Sequence, residues 1–473
     1  MKYLIASLTV TLLLNTLYGQ SRIEDKIGES TYLSVERSMG FYKHDALLEY
    51  VSGIGRKLEA QLPDNPYEFK YFLVDTDEPN AFATAGGYVF VTRGILPILD
   101  TEDELAGVLG HEFTHVILKH STHKMARNIL PMVLEIPGNI LGIVFPDIVG
   151  ELVNLPIELT AHTADAAFSR RQERDADTYG IRYATEAGYD PEGLRSALLK
   201  LQEYIEDRYH MEEHFTLFLD HPLTQDRTEH LERMITSKEW PSREPTLLHD
   251  HLNGLIIGQN PEQGIVFEDH SFIHPALDLF LQLPADWRVD NSPMALNAAD
   301  KSGMSGFMIG VEENFTHPDS AALAMAERLK QRYSHVELGE PYLLNGFRAI
   351  DLVVTGEDMA REGKTQMTWL EPHTPGVLLH CLGAAHSDEQ FREIREIIGS
   401  IRPIRSEEKK QVVSHVLYVE QGGEESLKAF AARKGEPVLK NLELMGIINH
   451  MDPSDSVSGR QVKYIRTEPY FPE

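Results

Sequence analysis

The run His111-Glu112-Phe113-Thr114-His115 constrains this chain more than any other feature. Just upstream, Thr101-Glu102-Asp103-Glu104 is a capping-box pattern, so a helix is expected to open there and run to about His120. Leu105, Val108, Leu109, Phe113, Val116 and Ile117 wrap that helix nearly all round, which marks it for burial. Two imidazoles four residues apart stack on one face of a helix. Inside a core, two histidines and a glutamate are costly without partners, and two nitrogen ligands at this spacing suit a zinc ion. Glu112 points about 100° further around the axis, where it can take a proton from water at the metal without competing for the metal.

A catalytic zinc needs a third protein ligand and one open position. A third histidine at the metzincin spacing would fall on Ser121, which excludes that class. Glu135 lies at the thermolysin-like spacing but sits between Pro131 and Pro137 in an apolar stretch. The stronger candidate is Glu173, within Ser169-Arg170-Arg171-Gln172-Glu173-Arg174-Asp175-Ala176-Asp177. Glu173 and Asp177 are again one helical turn apart, so Glu173 can bind the metal while Asp177 orients a ligand imidazole from behind. The bland alternative is a solvated helix whose arginines pair both acids.

Helical spacing runs through 23–62 and is broken by Pro63-Asp64-Asn65-Pro66. Strands are expected over 69–74 and 87–92, with Asn80-Ala81-Phe82-Ala83 between them. The apolar stretch 129–159 is interrupted by prolines and acids, which argues against a spanning helix. Further helices are expected at 169–188 and 191–208, and a polar boundary at 237–262. Beyond it, strands near 279–287, 307–313, 348–355, 365–370 and 376–383 and helices at 320–333 and 388–401 form an α+β domain. A tail over 413–465 reads as strand, two short helices and strand. Cys381, the only cysteine, sits in an apolar strand and reads as a core residue, so no disulfide forms within the chain.

Several of these motifs occur in a fixed order: Asn80-Ala81-Phe82-Ala83, then Gly86-Gly87-Tyr88-Val89-Phe90-Val91-Thr92, then His111–His115, then Glu173 to Asp177. In this the chain resembles the metallopeptidase family that includes the CAAX prenyl protease and the periplasmic β-barrel assembly-enhancing protease, over roughly Glu24 to Arg233. The resemblance implies one zinc per chain on His111, His115 and Glu173, Glu112 as general base and Asp177 behind the ligands. It also picks out His221-Pro222 and Arg227, which would approach the active site and stabilise an oxyanion; the matching histidine of the periplasmic relative can close on the zinc as a latch. Asn80, Ala81, Phe82, Gly87, Tyr88 and Val89 would hold substrate, with the edge of the Gly87–Thr92 strand pairing with an extended peptide. Further on, 262–404 resembles a PsbP-type α/β sandwich and 411–467 a LysM module. The latter implies a cell-wall glycan as partner, although its first turn reads Gly423-Glu424-Glu425-Ser426 where the usual motif has Gly-Asp-Thr.

The expected architecture is therefore α+β: a mainly helical zincin-type peptidase domain with a small sheet (21–240), an α/β sandwich (262–404) and a small βααβ module (411–467). Residues 1–20, with Lys2 ahead of a mostly apolar run to Leu17, have the layout of a cleavable secretory signal too short to span a membrane. The formal charge of −29 disfavours nucleic acid and anionic lipid as partners. The combined expectation is a zinc endopeptidase of the Gram-negative periplasm acting on unfolded or outer-membrane polypeptides. The rival reading is a chaperone-like binding protein with a latent or lost protease.

Overall fold

The computed structural model describes residues 24–63, 65–120, 168–209, 221, 224–237, 239–240, 244–312, 314–356 and 363–471. The signal-like segment 1–20, Ser121, the apolar stretch 129–159 with Glu135, and Pro222 lie outside the described residues. The fold is α+β, and it divides into two compact units.

Among the described residues, the first unit takes in those up to Gly258 together with His415–Glu468. Residues 24–38 are helical. The single helix expected over 23–62 is broken at Gly40, whose φ of 73° lies in the left-handed region, and Phe41 then bridges to Val74. The pattern resumes as α1 (Asp45–Glu59), which buries the stripe Leu47, Val51, Ile54 and Leu58. Strands β1 (Lys70–Val74), β2 (Ala81–Thr84) and β3 (Tyr88–Thr92) form a small sheet in the order β1-β3-β2. In it β3 is central, parallel to β1 and antiparallel to β2.

Helix α2 (Glu102–Ile117) is buried from Glu102 through Val116, as its all-round apolar pattern requires. Its start carries the expected capping box between Thr101 and Glu104. Helices α3 (Arg170–Glu186) and α4 (Gly193–Tyr209) pack against it, and α5 (Gln225–Thr236) packs on α3 and α4. A short strand, β4 (Leu255–Ile257), follows.

Among the described residues, the second unit spans Gln259–Ser414 and those from Pro469 on. A three-stranded sheet of β5 (Ile265–Val266), β6 (Ser271–His274) and β7 (Leu279–Gln282) precedes an eight-stranded one. The larger sheet begins with β8 (Arg288–Asn291), β9 (Ala295–Ala299) and β10 (Ser305–Val311). After helix α6 (Pro318–Leu329) come β11 (His335–Leu338), β12 (Tyr342–Leu344), β13 (Phe347–Gly356), β14 (Gly363–Glu371) and β15 (Leu379–Ala385), then helix α7 (Asp388–Ser400). The order is β11-β13-β14-β15-β10-β9-β8, with β12 beside β13. Alternate residues feed two cores, one on each face. Ile350, Leu352, Met367 and Trp369 meet Ala322, Ala326 and Leu329 of α6. Ala349, Leu370 and Cys381 meet Ile394, Ile397 and Ile398 of α7. Cys381 is thus the buried core residue the sequence suggests.

The chain then returns to the first unit. Strand β16 (Val413–Gln421) pairs antiparallel with β4, matching Leu417 to Leu255, and β17 (Gln461–Pro469) closes a sheet in the order β17-β16-β4. Between them lie three short helices where two were expected: α8 (Leu427–Lys434), the turn Glu436–Leu439 and α9 (Leu442–Asn449). Leu417, Ile448 and Ile465 belong to the same hydrophobic core as Leu105, Leu109 and Phe113 of α2. A stretch that the sequence sets apart as a module thus shares a core with the helix that carries the histidine pair.

Candidate metal centre

Helix α2 presents His111 and His115 on one face, with their Nε2 atoms 3.1 Å apart. Helix α3 brings the acids to them because the two helices approach backbone to backbone. A Cβ added to Gly110 would lie 2.7 Å from the carbonyl oxygen of Gly180, and one added to Gly180 would lie 2.7 Å from the amide nitrogen of His111. With no side chains at that crossing, Glu173 Oε2 comes within 3.6 Å of His111 Nε2, and Glu173 Oε1 within 3.5 Å of His115 Nε2. Asp177, fully buried one turn on, places Oδ1 3.0 Å from His111 Nδ1. That contact fixes the His111 proton on Nδ1, donated to Asp177, and leaves the Nε2 lone pair facing the cluster.

His221 joins them from outside α2 and α3. Its Nδ1 lies 3.2 Å from His111 Nε2 and 2.9 Å from Glu173 Oε1. Its Nε2 lies 3.7 Å from Glu112 Oε1. Arg227, on the first turn of α5, grips Asp177 with two bonds, Nε to Oδ2 at 2.9 Å and Nη2 to Oδ1 at 2.7 Å. Its Nη1 donates to the carbonyl of His221 at 3.0 Å and lies 2.9 Å from Glu173 Oε2. This bidentate fork is the geometry in which arginine binds a carboxylate best.

Burial and charge pull against each other here. Burial opposes ionisation of Asp177, but Arg227 and His111 outweigh it and hold the carboxyl well below the usual range. Burial likewise opposes protonation of His221, yet the Glu173 and Glu112 carboxylates push its pKa up to about 9. Glu112 differs: burial dominates and raises its pKa, despite a hydrogen bond from the backbone of Ala83 and the nearby histidines. His115 is pushed well below the ordinary histidine range by burial and by its histidine neighbours, so it is neutral, as a metal ligand must be.

The residues fit a metal. One ligand atom each from His111, His115, Glu173 and His221 lie within 4.8 Å of one another, all buried. Imidazole nitrogens facing each other and a carboxylate, with one proton already committed to Asp177, form a donor set that a divalent cation satisfies. Glu112 Oε2, beside the cluster, is buried without a hydrogen-bond partner among the described residues.

The six residues expected to hold substrate divide. Ala81 and Phe82 belong to β2, preceded by Asn80, and β2 packs along α2. Gly87 leads into β3, where Tyr88 and Val89 are bonded on both sides, so the edge strands of this sheet among the described residues are β1 and β2, and the Gly87–Thr92 strand is central. Two further neighbours of the ligands belong to none of the sequence motifs. The Phe168 ring lies 4.0 Å from that of His115 and 4.9 Å from that of His221, centroid to centroid. His120 Nδ1 lies 3.3 Å from His115 Nδ1. An aromatic directly before the α3 cap, and a histidine just past the end of α2, were the available signals.

Residues 49–235 match peptidase family M48. The chain is 30% identical over 212 residues to a putative β-barrel assembly-enhancing protease of Vibrio cholerae, which covers 44% of this chain and 42% of that relative. It is 31% identical over 189 residues to the β-barrel assembly-enhancing protease of Yersinia pestis, covering 39% of this chain and 38% of the relative. This chain thus spans less than half the length of either. With a protease HtpX homolog of Lactobacillus acidophilus it shares 30% identity over 205 residues, 35% of this chain and 67% of the relative. The matched segment contains both ligand-bearing helices and His221, and on that likeness the chain belongs to peptidase family M48.

Proposed function

We propose that this chain is a zinc endopeptidase that cleaves unfolded or misassembled polypeptides of the cell envelope. The observation that carries the reading is the convergence of His111, His115 and Glu173 beside the buried, partly unpartnered carboxylate of Glu112. Those three residues would hold the zinc, which would supply Lewis acidity toward a peptide carbonyl and water. Glu112 takes the proton from the attacking water and returns it to the leaving amine, a shuttle helped by a carboxyl whose pKa burial has raised. Asp177 holds the His111 tautomer, and Arg227 holds Asp177 and Glu173 in place. His221 and Arg227 are the groups nearest to support a tetrahedral oxyanion once His221 swings off Glu173. An extended substrate pairs with the free edge of β2 through Asn80–Phe82, next to the amide of Ala83 that already reaches Glu112.

The test is metal content measured together with hydrolysis of casein or a quenched peptide, with and without chelator. Glu112→Gln should keep its metal and lose turnover by about 10²–10⁴-fold. Cleavage by that variant at the wild-type rate would sink the mechanism.

A second reading is a latent protease or chaperone-like binding protein. It draws on His221, whose Nδ1 already stands among the ligand atoms in this closed arrangement. A gain in cleavage on His221→Ala indicates a latch, and a loss indicates transition-state support.

The periplasm of a Gram-negative bacterium as the place of action is drawn from the signal-like start and from relatives named as β-barrel assembly-enhancing proteases. Among the described residues no helix is long and apolar enough to cross a membrane. We further propose, on sequence resemblance alone, a PsbP-like sandwich for 262–404 and a LysM-like module for 411–467, with a peptidoglycan pull-down as the test of glycan binding.

A further inference from the structure

Helix α2 ends in a turn that normally serves only to stop a helix. Lys119 adopts the left-handed conformation, with φ of 57°, at a position where glycine is the usual occupant. The amide of Lys119 donates to the carbonyl of Val116 at 3.0 Å, and the amide of His120 donates to the carbonyl of His115 at 2.9 Å. This pair of bonds is a Schellman motif, in which the side chain after the left-handed residue folds back onto the residue three positions inside the helix end. Usually that contact is between two apolar groups. Here it is between two imidazoles, whose ring planes meet at 73° with centroids 5.1 Å apart. The Lys119 ammonium lies 3.0 Å from Glu24 Oε1, anchoring the left-handed residue.

We propose that His120 is a positioning residue for His115, the counterpart of what Asp177 is for His111. The inference rests on the metal-site reading above. A histidine that offers Nε2 to a metal must carry its proton on Nδ1, and that proton needs an acceptor to fix the ring. His120 Nδ1, 3.3 Å from His115 Nδ1, is in place to accept it, with its own proton on Nε2. The two ligand histidines of one helix are therefore oriented by different devices. Asp177 reaches His111 from the neighbouring helix, whereas His120 reaches His115 through the chain reversal that ends α2 itself.

Two substitutions separate this role from simple packing. In asparagine, Oδ1 stands where histidine carries Nδ1, so His120→Asn keeps an acceptor. His120→Phe keeps an apolar or aromatic contact in the turn but has no acceptor. Metal affinity would be measured on the full chain by competition with a chromophoric chelator, together with the visible spectrum of the Co(II)-substituted protein. Thermal unfolding of the chelated variants would control for folding. The expected result is near wild-type affinity and spectrum for His120→Asn, and about 10–100-fold weaker binding with a shifted spectrum for His120→Phe. Wild-type affinity and spectrum in a folded His120→Phe overturn the inference, as does an equal loss in both variants. A wild-type chain that takes up no metal overturns the proposed function and this inference with it, so the two failures are told apart.

Discussion

The ammonium of Lys463 lies 2.7 Å from Asp100 Oδ1 and 2.7 Å from the carbonyl of Pro97, although 363 positions separate the lysine from the aspartate. Lys463 is fully buried, and Lys200 and His249 approach the same carboxylate. Asp100 immediately precedes Thr101, the cap of α2, and its amide donates to Glu104 of the capping box. A lysine from the C-terminal strand is therefore built into the start of the helix that carries His111 and His115. Lys463→Met should cost about 1–3 kcal/mol, since it removes charge-assisted bonds to Asp100 and to the Pro97 carbonyl while Lys200 and His249 still face that carboxylate. The check is the urea midpoint of the full chain, and an unchanged midpoint would show that residues 415–468 are not coupled to α2.

The glycine pair at the crossing of α2 and α3 sets a second expectation. Gly180→Ala places a methyl against the backbone of His111 and must push the helices apart. Overpacking of this kind costs about 1–3 kcal/mol. Because the shift separates Glu173 from the histidines, metal affinity should fall as well. Stability and affinity measured on one preparation would test it, and a variant with both unaltered would refute it.

Asp177→Asn keeps the shape of the side chain but removes the charge that Arg227 grips and that fixes the His111 proton. Metal affinity should drop by about 10–100-fold. Titration against a competing chelator gives the answer directly, and full affinity would mean that His111 is held by other contacts.

The pH dependence of the chelated protein follows from His221. Its folded pKa of about 9 stands above the ordinary 6.5 because the carboxylates of Glu173 and Glu112 outweigh its burial. A raised pKa contributes stability that is fully present below about 6.5 and is lost as pH rises through about 9. Denaturant midpoints of chelated wild type should therefore decline between those limits, and His221→Gln should lack that decline. Parallel curves for the two proteins would contradict the assignment.

How legible this molecule was in its sequence depends on where the information sits. The capping box at Thr101 and Glu104, the all-round burial of α2 and the one-turn spacings of His111 with His115 and of Glu173 with Asp177 are local, and helix geometry alone translates them into shared faces. The break at Gly40 and strands such as β9, with its run Ala-Leu-Asn-Ala-Ala, were missed because pairing with distant partners decides them, not local preference.

Residue spacing alone says which side chains can share a face and therefore which can share a metal. That the two faces meet follows from packing between distant elements. That required glycines on two helices to coincide at one crossing, and Arg227 to close on Asp177 from a third. The same packing puts β3 at the centre of the small sheet with β2 at an edge, and brings Lys463 to the start of α2. These are contacts between residues tens to hundreds of positions apart, which no local periodicity encodes. They exist because one buried core must satisfy every polar group it encloses.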